Sequence, residues 1–434
     1  MREGQTEVLV VGAGPVGLWT ALLLADAGVE VAIIDQQTRT AARSYACALH
    51  PRTLGLLNRF GLVAALASRG RSASKISFFD REKPRAGLDL AKSGGEFAHL
   101  LIAPQNALED ELEKRLRQAG VTVHWNHRFD NLTQEETQAI ATVEELTGTG
   151  TGYIVPHWEM VVKRRVPIRA QFIIGADGHG SMVRQRLGIG WRNGGHRETF
   201  AAYEFESEPD GQDEIRVVLD AATTNVLWPL PNNRLRWTFQ LTRSEHPGEL
   251  PEKERRALRL DQPQLDDAIR AQVQRITVQR APWFRATVRN IDWCSEIAFE
   301  RRLAEAFGRG RCWLAGDAAH QTGPAGVQSM NGGFLEAADL VGRICRILRE
   351  ETEVESLGHY NAEQQRTWEQ MLGFTGGLSP RAGADPWIRD HCEQILPGLP
   401  GLGQDAAALA ADLRLDFAQR PAAPTPQLPA QPAH

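Results

Sequence analysis

The sequence predicts an α/β fold: a parallel sheet flanked by helices, with a mostly antiparallel β-sheet inserted into it. Three observations predict this. A short apolar run, Val8-Leu-Val-Val11, ends in glycines and leads through a helix-like segment to a second apolar run, Val31-Ala-Ile-Ile34. Two more apolar runs, Phe172-Ile-Ile174 and Cys312-Trp-Leu314, each stop at a glycine close to an aspartate. Between them, residues 196–242 break into short alternating segments. Continuous apolar runs are the mark of parallel strands buried on both faces, and alternation is the mark of half-buried antiparallel ones.

Each element follows in order. Residues 8–12 read as a buried strand, Leu18–Ala27 as a helix ended by Gly28, and Val31–Asp35 as the next strand. Thr53–Phe60 reads as a helix before Gly61, and Leu108–Gln118 as an amphipathic helix before Gly120. Val121–Trp125 alternates like a strand. Residues 130–170 read as a β excursion, with a turn at Gly148-Thr-Gly-Thr-Gly152. Ile215–Leu219 and Leu235–Leu241 read as antiparallel strands, split by Pro229 and by Pro231-Asn-Asn233. Residues 264–276 and Gly332–Glu350 read as helices. Residues 420–434 hold five prolines and four alanines without apolar periodicity, so an extended tail is expected from about residue 418. The divided order implies a discontinuous chain: residues 1–75, 100–185 and 295–375 in one domain, 76–99 and 186–294 in the inserted sheet, and 376–434 as a C-terminal segment.

Composition narrows the function classes. A length of 434 residues accommodates two cores, and 42% hydrophobic with 24% charged residues is ordinary for a soluble protein. A formal net charge of −5 argues against a nucleic-acid partner, and the basic run Lys163-Arg164-Arg165 reads as a solvated strand end. No signal peptide and no membrane-length apolar run is apparent. The five cysteines (47, 294, 312, 345 and 392) form no CxxC pair, which fits reduced thiols in the cytoplasm better than disulfides or a metal site.

The chemistry lies in three segments. In Val8-Leu-Val-Val-Gly-Ala-Gly-Pro-Val-Gly17, Gly12 permits the turn out of the strand. Gly14 clears a side chain where backbone meets pyrophosphate, and Gly17 lets helix and strand approach. The following helix offers free N–H groups and a partial positive charge to an anion. Asp35, 18 residues after Gly17, suits the two hydroxyls of an adenosine ribose and would repel a 2′-phosphate. In the third segment, Gly316-Asp317 is followed by His320 and then Gly323-Pro-Ala-Gly-Val-Gln-Ser-Met-Asn331 at a helix start. Successive N–H groups there suit the negative charge that develops on a reduced flavin, and Asp317 suits a ribityl hydroxyl. The middle segment, Gly175-Ala-Asp-Gly178 with Ser181 and Arg184, is by itself as compatible with a structural turn as with a ligand. Together the three point to a flavin adenine dinucleotide held along its length.

These segments resemble the FAD-fingerprint, Asp-Gly and Gly-Asp motifs of the single-component FAD-dependent aromatic hydroxylases, the para-hydroxybenzoate hydroxylase-like group A flavoprotein monooxygenases. The resemblance covers roughly residues 5–375. It implies a glutathione-reductase-type, Rossmann-like FAD-binding domain with an inserted substrate sheet. The cofactor-binding set it implies begins with Gly12, Ala13, Gly14, Pro15, Val16 and Gly17, with Asp35 and Gln36. Arg43 matches an arginine near FAD and the NADPH region, Gln105 a glutamine on the ribityl–phosphate part, and Phe129 a position whose backbone meets the adenine. Asp177 matches the acid linked to FAD and NADPH. Gly316 and Asp317 match the ribityl contact, and Pro324 with Gly326, Val327, Gln328, Ser329, Met330 and Asn331 match the segment along the flavin ring. Ser329 stands where the family often has glycine, which puts the loop geometry in question. Some relatives carry a thioredoxin-like C-terminal domain. With about 60 residues after residue 375, this chain is expected to lack it.

The resemblance also implies chemistry: NADPH or NADH as transient reductant, O2 as co-substrate, a flavin C4a-hydroperoxide, and one oxygen atom placed in an aromatic substrate, for which the aromatic-rich inserted sheet, not the resemblance, suggests a sizeable polycyclic natural-product intermediate. Expected partners are that small molecule alone, with no nucleic acid and no membrane. No catalytic base is assignable; His50, His99, Tyr203 and His246 are candidates by type only. Aromatic residues Phe78, Phe79, Phe97, Phe200, Tyr203, Phe205, Trp228, Trp237 and Phe239 fall in the inserted sheet, most of them as core. The alternatives are a Baeyer–Villiger or epoxidising oxygenase of the same fold, an FAD-dependent reductase of the geranylgeranyl type, and a non-enzymatic flavin-binding sensor. A flavin halogenase would need a Trp-x-Trp-x-Ile-Pro segment, which the sequence lacks.

Overall fold

The computed structural model describes residues 4–40, 48–151, 157–208, 213–220, 222–242, 245 and 263–418. In chain order the main elements begin with β1 (Gly4–Val11), α1 (Pro15–Asp26), β2 (Val31–Ile34), β3 (Lys75–Phe79) and β4 (Pro84–Asp89). Next come α2 (Gln105–Gln118), β5 (Val123–His124), β6 (His127–Gln134), β7 (Ala139–Thr151), β8 (His157–Gly175) and α3 (Met182–Arg186). Then follow β9 (Glu198–Glu206), β10 (Glu214–Leu219), β11 (Thr224–Leu230), β12 (Arg234–Leu241), α4 (Pro263–Arg280) and β13 (Arg289–Phe299). The series closes with β14 (Gly308–Arg309), β15 (Cys312–Leu314), α5 (Gln328–Leu348) and α6 (Leu357–Met371).

The first sheet has the order β14-β15-β8-β1-β2-β5, parallel from β15 to β5. Its strands end level: Val11 pairs with Ile34 on one side and Gly175 on the other, and Gly175 pairs with Leu314. The three motif turns therefore leave the sheet at one edge, the position where ligands collect on open parallel sheets. Helix α1 begins with Pro15 at its first turn and ends before Gly28, whose φ of +77° reverses the chain. It is apolar nearly all round because it is central, burying Leu18, Trp19, Leu22 and Leu24. Each large side chain so buried contributes about 1.5–3 kcal/mol.

On the flank, β7 pairs antiparallel with both β6 and β8. At the turn expected over Gly148–Gly152, residues 148–151 are strand instead, since β7 runs to Thr151 and pairs it with His157, while Gly152 lies outside the described residues. Alternating Thr147, Thr149 and Thr151 are β-branched and favour extension over the turn that the glycines suggest. The basic run lies on β8, with Lys163 beside Glu145 and Arg165 beside Glu144. The Val121–Trp125 strand is shorter than expected, spanning only Val123–His124.

The second sheet has the order β13-β9-β12-β11-β10-β3-β4, antiparallel except for the β3/β10 pair. Its two faces do different work. Ile76, Phe78, Ile215, Val217, Val226, Trp228 and Leu230 join the core shared with the parallel sheet. Phe79, Tyr203, Phe205, Trp237 and Phe239 point the other way, to a separate cluster with Val273 and Ile276 of α4. Pro229 does not split a strand but sits within β11, paired with Leu235. The β10 ladder has already ended at Leu227, so β11 has one neighbour there and one edge needs no donor.

Candidate cofactor and active site

Glycines bring the three motifs into contact. A Cβ on Gly12, whose φ is +105°, would lie 2.3 Å from the Ala176 carbonyl oxygen. One on Gly17 would lie 1.9 Å from the Gly12 carbonyl oxygen. Val16 then touches the third motif: a Cβ on Gly333 would lie 2.6 Å from its Cγ2, and one on Gly316 3.0 Å away. Gly14 differs. It is the N-cap of α1, has no side-chain cap, and an added Cβ would meet nothing within 4 Å. The start of α1 thus presents its N–H groups to open space, as an anion site requires.

Asp35 follows β2 and reaches back to this turn. Its Oδ2 accepts the Ala13 N–H (2.7 Å) and its Oδ1 the Gln37 N–H (2.7 Å), which fixes the carboxylate while leaving lone pairs for hydroxyl donors. Gln36 beside it is exposed. Asp177 Oδ2 accepts the N–H groups of Met182 (2.7 Å) and Val183 (3.1 Å) at the start of α3. Its Oδ1 is buried without a protein partner, and burial raises the carboxyl above its ordinary pKa. Arg184 is 5% exposed, lies 4.0 Å over the Trp191 ring, and leaves Nε and Nη1 without partners. Unmet buried polar atoms of opposite charge beside the first motif are what a polar ligand would complete.

The third motif is a buried network. His320 Nε2 lies 2.8 Å from Glu336, whose carboxylate also accepts the Gly316 N–H (3.0 Å) and the Trp368 indole N–H. The His320 ring stacks on Trp368 with centroids 3.6 Å apart. Ser329 Oγ donates to Asp317 Oδ1 and lies 3.2 Å from His320 Nδ1. Helix α5 starts at Gln328, so Ser329, Met330 and Asn331 form its first turn rather than the loop expected before Gly332. Ser329 therefore needs no glycine-like backbone. The left-handed residue is Val327 (φ +50°), and its β-branched side chain makes that conformation costly.

The other expected residues separate by what their side chains do. Gln328 donates to the Leu396 and Leu399 carbonyls (3.0 Å each), and Asn331 binds Ala48 O, Val327 O and His50 N–H. Both side chains are engaged within the protein, and both residues are buried. Phe129 is buried in the core, its backbone paired with Val143. Gln105 opens α2 and donates to Glu109 (2.8 Å). Pro324 precedes the buried pair Ala325 and Gly326. Arg43 and His246 lie outside the described residues.

Two of the candidates named by type are held in the interior. His50 is buried, its Nδ1 accepts the Gly401 N–H (2.9 Å) and its Nε2 donates to the Gly326 carbonyl (2.8 Å). Burial pushes its pKa down to about 4, so it is a neutral rivet without a free nitrogen. Tyr203 faces α4, and burial pushes its hydroxyl well above the usual range. Sequence reading missed Glu336. The available signal was a carboxylate on the buried stripe of α5, four residues from Gly332 and Leu340.

A small cavity lies between the α5 turn and the inner face of the second sheet. His50, Ala325 and Gly326 line one side, Ile76, Val217 and Trp228 the other, and Gly398 and Pro400 close it. A larger cleft lined by Asp26, Arg59 and Arg115 sits between α1 and α2 and includes none of the three motifs. The α1 N-terminus, Asp35, the unmet Asp177 oxygen and the α5 turn fit an extended dinucleotide.

Comparison with known proteins agrees. The FAD binding domain family matches residues 5–375. The chain is 28% identical to 6-methylpretetramide 4-monooxygenase of Streptomyces rimosus over 85% of this chain and 61% of that protein. It is 26% identical to para-nitrophenol 4-monooxygenase of Pseudomonas sp. (strain WBC-3) over 88% of this chain and 87% of that one. The chain thus spans under two thirds of the first relative and most of the second. Its fold is similar to that of p-nitrophenol 4-monooxygenase from Pseudomonas putida DLL-E4, with a TM-score of 0.71 and 21% identity over 95% and 97% of the two chains. It is also similar to aklavinone-11 hydroxylase solved with FAD and aklavinone, with a TM-score of 0.61 and 23% identity over 87% and 67%. The chain belongs to the FAD binding domain family, that of the FAD-dependent aromatic hydroxylases.

Proposed function

We propose that this chain is an NAD(P)H-consuming, FAD-dependent monooxygenase acting on an aromatic ring. The balance is ArH + O2 + NAD(P)H + H+ to ArOH, water and NAD(P)+. The observation that supports this most is the apolar sheet face of Ile76, Val217 and Trp228 lying across from Ala325 and Gly326 of the α5 turn. An apolar wall facing a flavin-type loop suits a flat, uncharged ring and excludes water. When bound, FAD supplies the hydride acceptor and the activation of oxygen.

The chain's own residues do the holding. The start of α1 takes the pyrophosphate, Asp35 the adenosine ribose, and Asp317 the ribityl chain. The N–H groups of Val327 to Met330 face the charge that develops on the reduced ring. Residues 1–75, 100–185 and 295–375 form the FAD-binding domain, and 76–99 with 186–294 the substrate domain. Relatives named for 6-methylpretetramide and para-nitrophenol, and a structural neighbour holding aklavinone, support a substrate range reaching polycyclic aromatics. Among the described residues no helix is long and apolar enough to cross a membrane. The cysteine pattern supports a cytoplasmic location.

The test is NADPH oxidation and oxygen uptake by the FAD-loaded protein against phenols and polycyclic aromatics. A compound that stimulates both and gains 16 mass units supports the reading, because that is one oxygen atom. NADPH consumption without oxygen uptake would overturn it in favour of a reductase. Turnover of monocyclic phenols alone would sink the polycyclic substrate range.

A further inference from the structure

The Ser329 hydroxyl has one proton and three neighbours in reach, the third being the His320 carbonyl oxygen at 3.3 Å. It donates to Asp317 Oδ1, and His320 Nδ1 lies 3.2 Å away. Behind the ring, His320 Nε2 lies 2.8 Å from Glu336, which is 1% exposed, as its ring is fully buried. Glu336 is held on its other sides by the Gly316 and Trp368 N–H groups. Every donor at that carboxylate is accounted for, and the ring is clamped against Trp368. Neither His320 nor Glu336 can turn without losing these bonds. Asp317, by contrast, is exposed, and of its side-chain bonds to described residues the one to Ser329 ties it to the rigid interior. Glycine at position 329, the residue frequent in the resembling family, has no atom that could make this tie.

We propose that Ser329 is a positioning residue: its hydroxyl, fixed in the first turn of α5 beside the buried His320–Glu336 pair, donates to the Asp317 carboxylate and so holds it toward the ribityl chain of FAD. This rests on the reading of Asp317 as the ribityl contact. A preset carboxylate avoids the ordering penalty that a free rotamer would pay on binding. Losing the latch should weaken FAD retention by about tenfold, the size of one hydrogen bond.

The test is the rate at which FAD leaves the full-length holoprotein on dilution, read as recovery of free flavin fluorescence. The variants are Asp317→Asn, Ser329→Ala, Ser329→Gly, the Asp317→Asn/Ser329→Ala double variant, and Ser329→Thr. The expected result is faster release in both Ser329→Ala and Ser329→Gly and restoration in Ser329→Thr. The double variant should release FAD no faster than Asp317→Asn alone, since the two act through one contact. If Asp317→Asn accelerates release while Ser329→Ala and Ser329→Gly do not, or if the two losses add, the latch is overturned and the Asp317 assignment stands. If Asp317→Asn leaves release unchanged, the assignment itself fails and the latch with it.

Discussion

The parallel sheet and the inserted sheet solve their packing in opposite ways. Around residues 12–17 the chain brings backbone against backbone, with Gly12 on the Ala176 carbonyl and Gly17 on the Gly12 carbonyl. In the inserted sheet the walls are side chains, with Val217 and Trp228 on one face and Trp237 and Phe239 on the other. The first device tolerates no added atom. The second depends on volume and shape, and a substitution there changes what fits before it changes whether the protein folds.

The largest effect should come from the backbone junction. Gly17→Ala places a Cβ where the Gly12 carbonyl oxygen sits, so a loss of about 3 kcal/mol or more is expected, with bound FAD lost. Flavin absorbance after purification and urea unfolding check this, and a fully loaded variant of ordinary stability would refute the contrast. Next is Glu336→Leu, which strands the His320, Trp368 and Gly316 donors in the interior; roughly 2–4 kcal/mol is expected by the same unfolding measurement.

His50 gives a pH effect of similar size. Its folded pKa is depressed from 6.5 to about 4, so the unfolded chain takes up the proton first as pH falls. Its contribution to stability is intact above about pH 6.5, declines through the window from 6.5 to 4, and is constant below it. The total is about 3 kcal/mol. His50→Gln should show a flatter stability profile across that window than the parent protein. The smallest effect should fall in the inserted sheet. Val217→Ala should cost about 1–2 kcal/mol, leave FAD content unchanged, and shift KM among aromatic substrates in favour of bulkier ones. An unchanged substrate ranking would move the substrate site elsewhere.

The same contrast explains what could be read from the sequence. Gly12, Gly14, Gly17 and Asp35 are legible because close backbone approach and a strand-end carboxylate demand those residue types at those spacings. The convergence of Asp177 and Gly316 on that turn is also legible, since both follow buried strands. The substrate wall is not. Phe79, Trp237 and Phe239 are as aromatic as Phe78 and Trp228, but face α4. Which face a residue takes is set by register against neighbours far away in the chain. Glu336 escaped because its partners, His320 and Trp368, come from separate segments; its place on the apolar stripe of α5 marks it as buried but does not name those partners. The start of α5 escaped because a left-handed valine is a poor helix cap by propensity; next to it Gly326 is packed against the Pro397 carbonyl oxygen.

That packing ties the flavin-facing turn to the C-terminal segment: Gln328 holds the Leu396 and Leu399 carbonyls, and His50 bridges Gly326 to Gly401. The two stretches are some 70 residues apart in sequence yet share these buried hydrogen bonds, so opening either one breaks bonds of the other. By linkage, whatever orders the turn must slow amide exchange and proteolysis around residues 396–401, and a tether or antibody that grips those residues must in return tighten the hold on the cofactor.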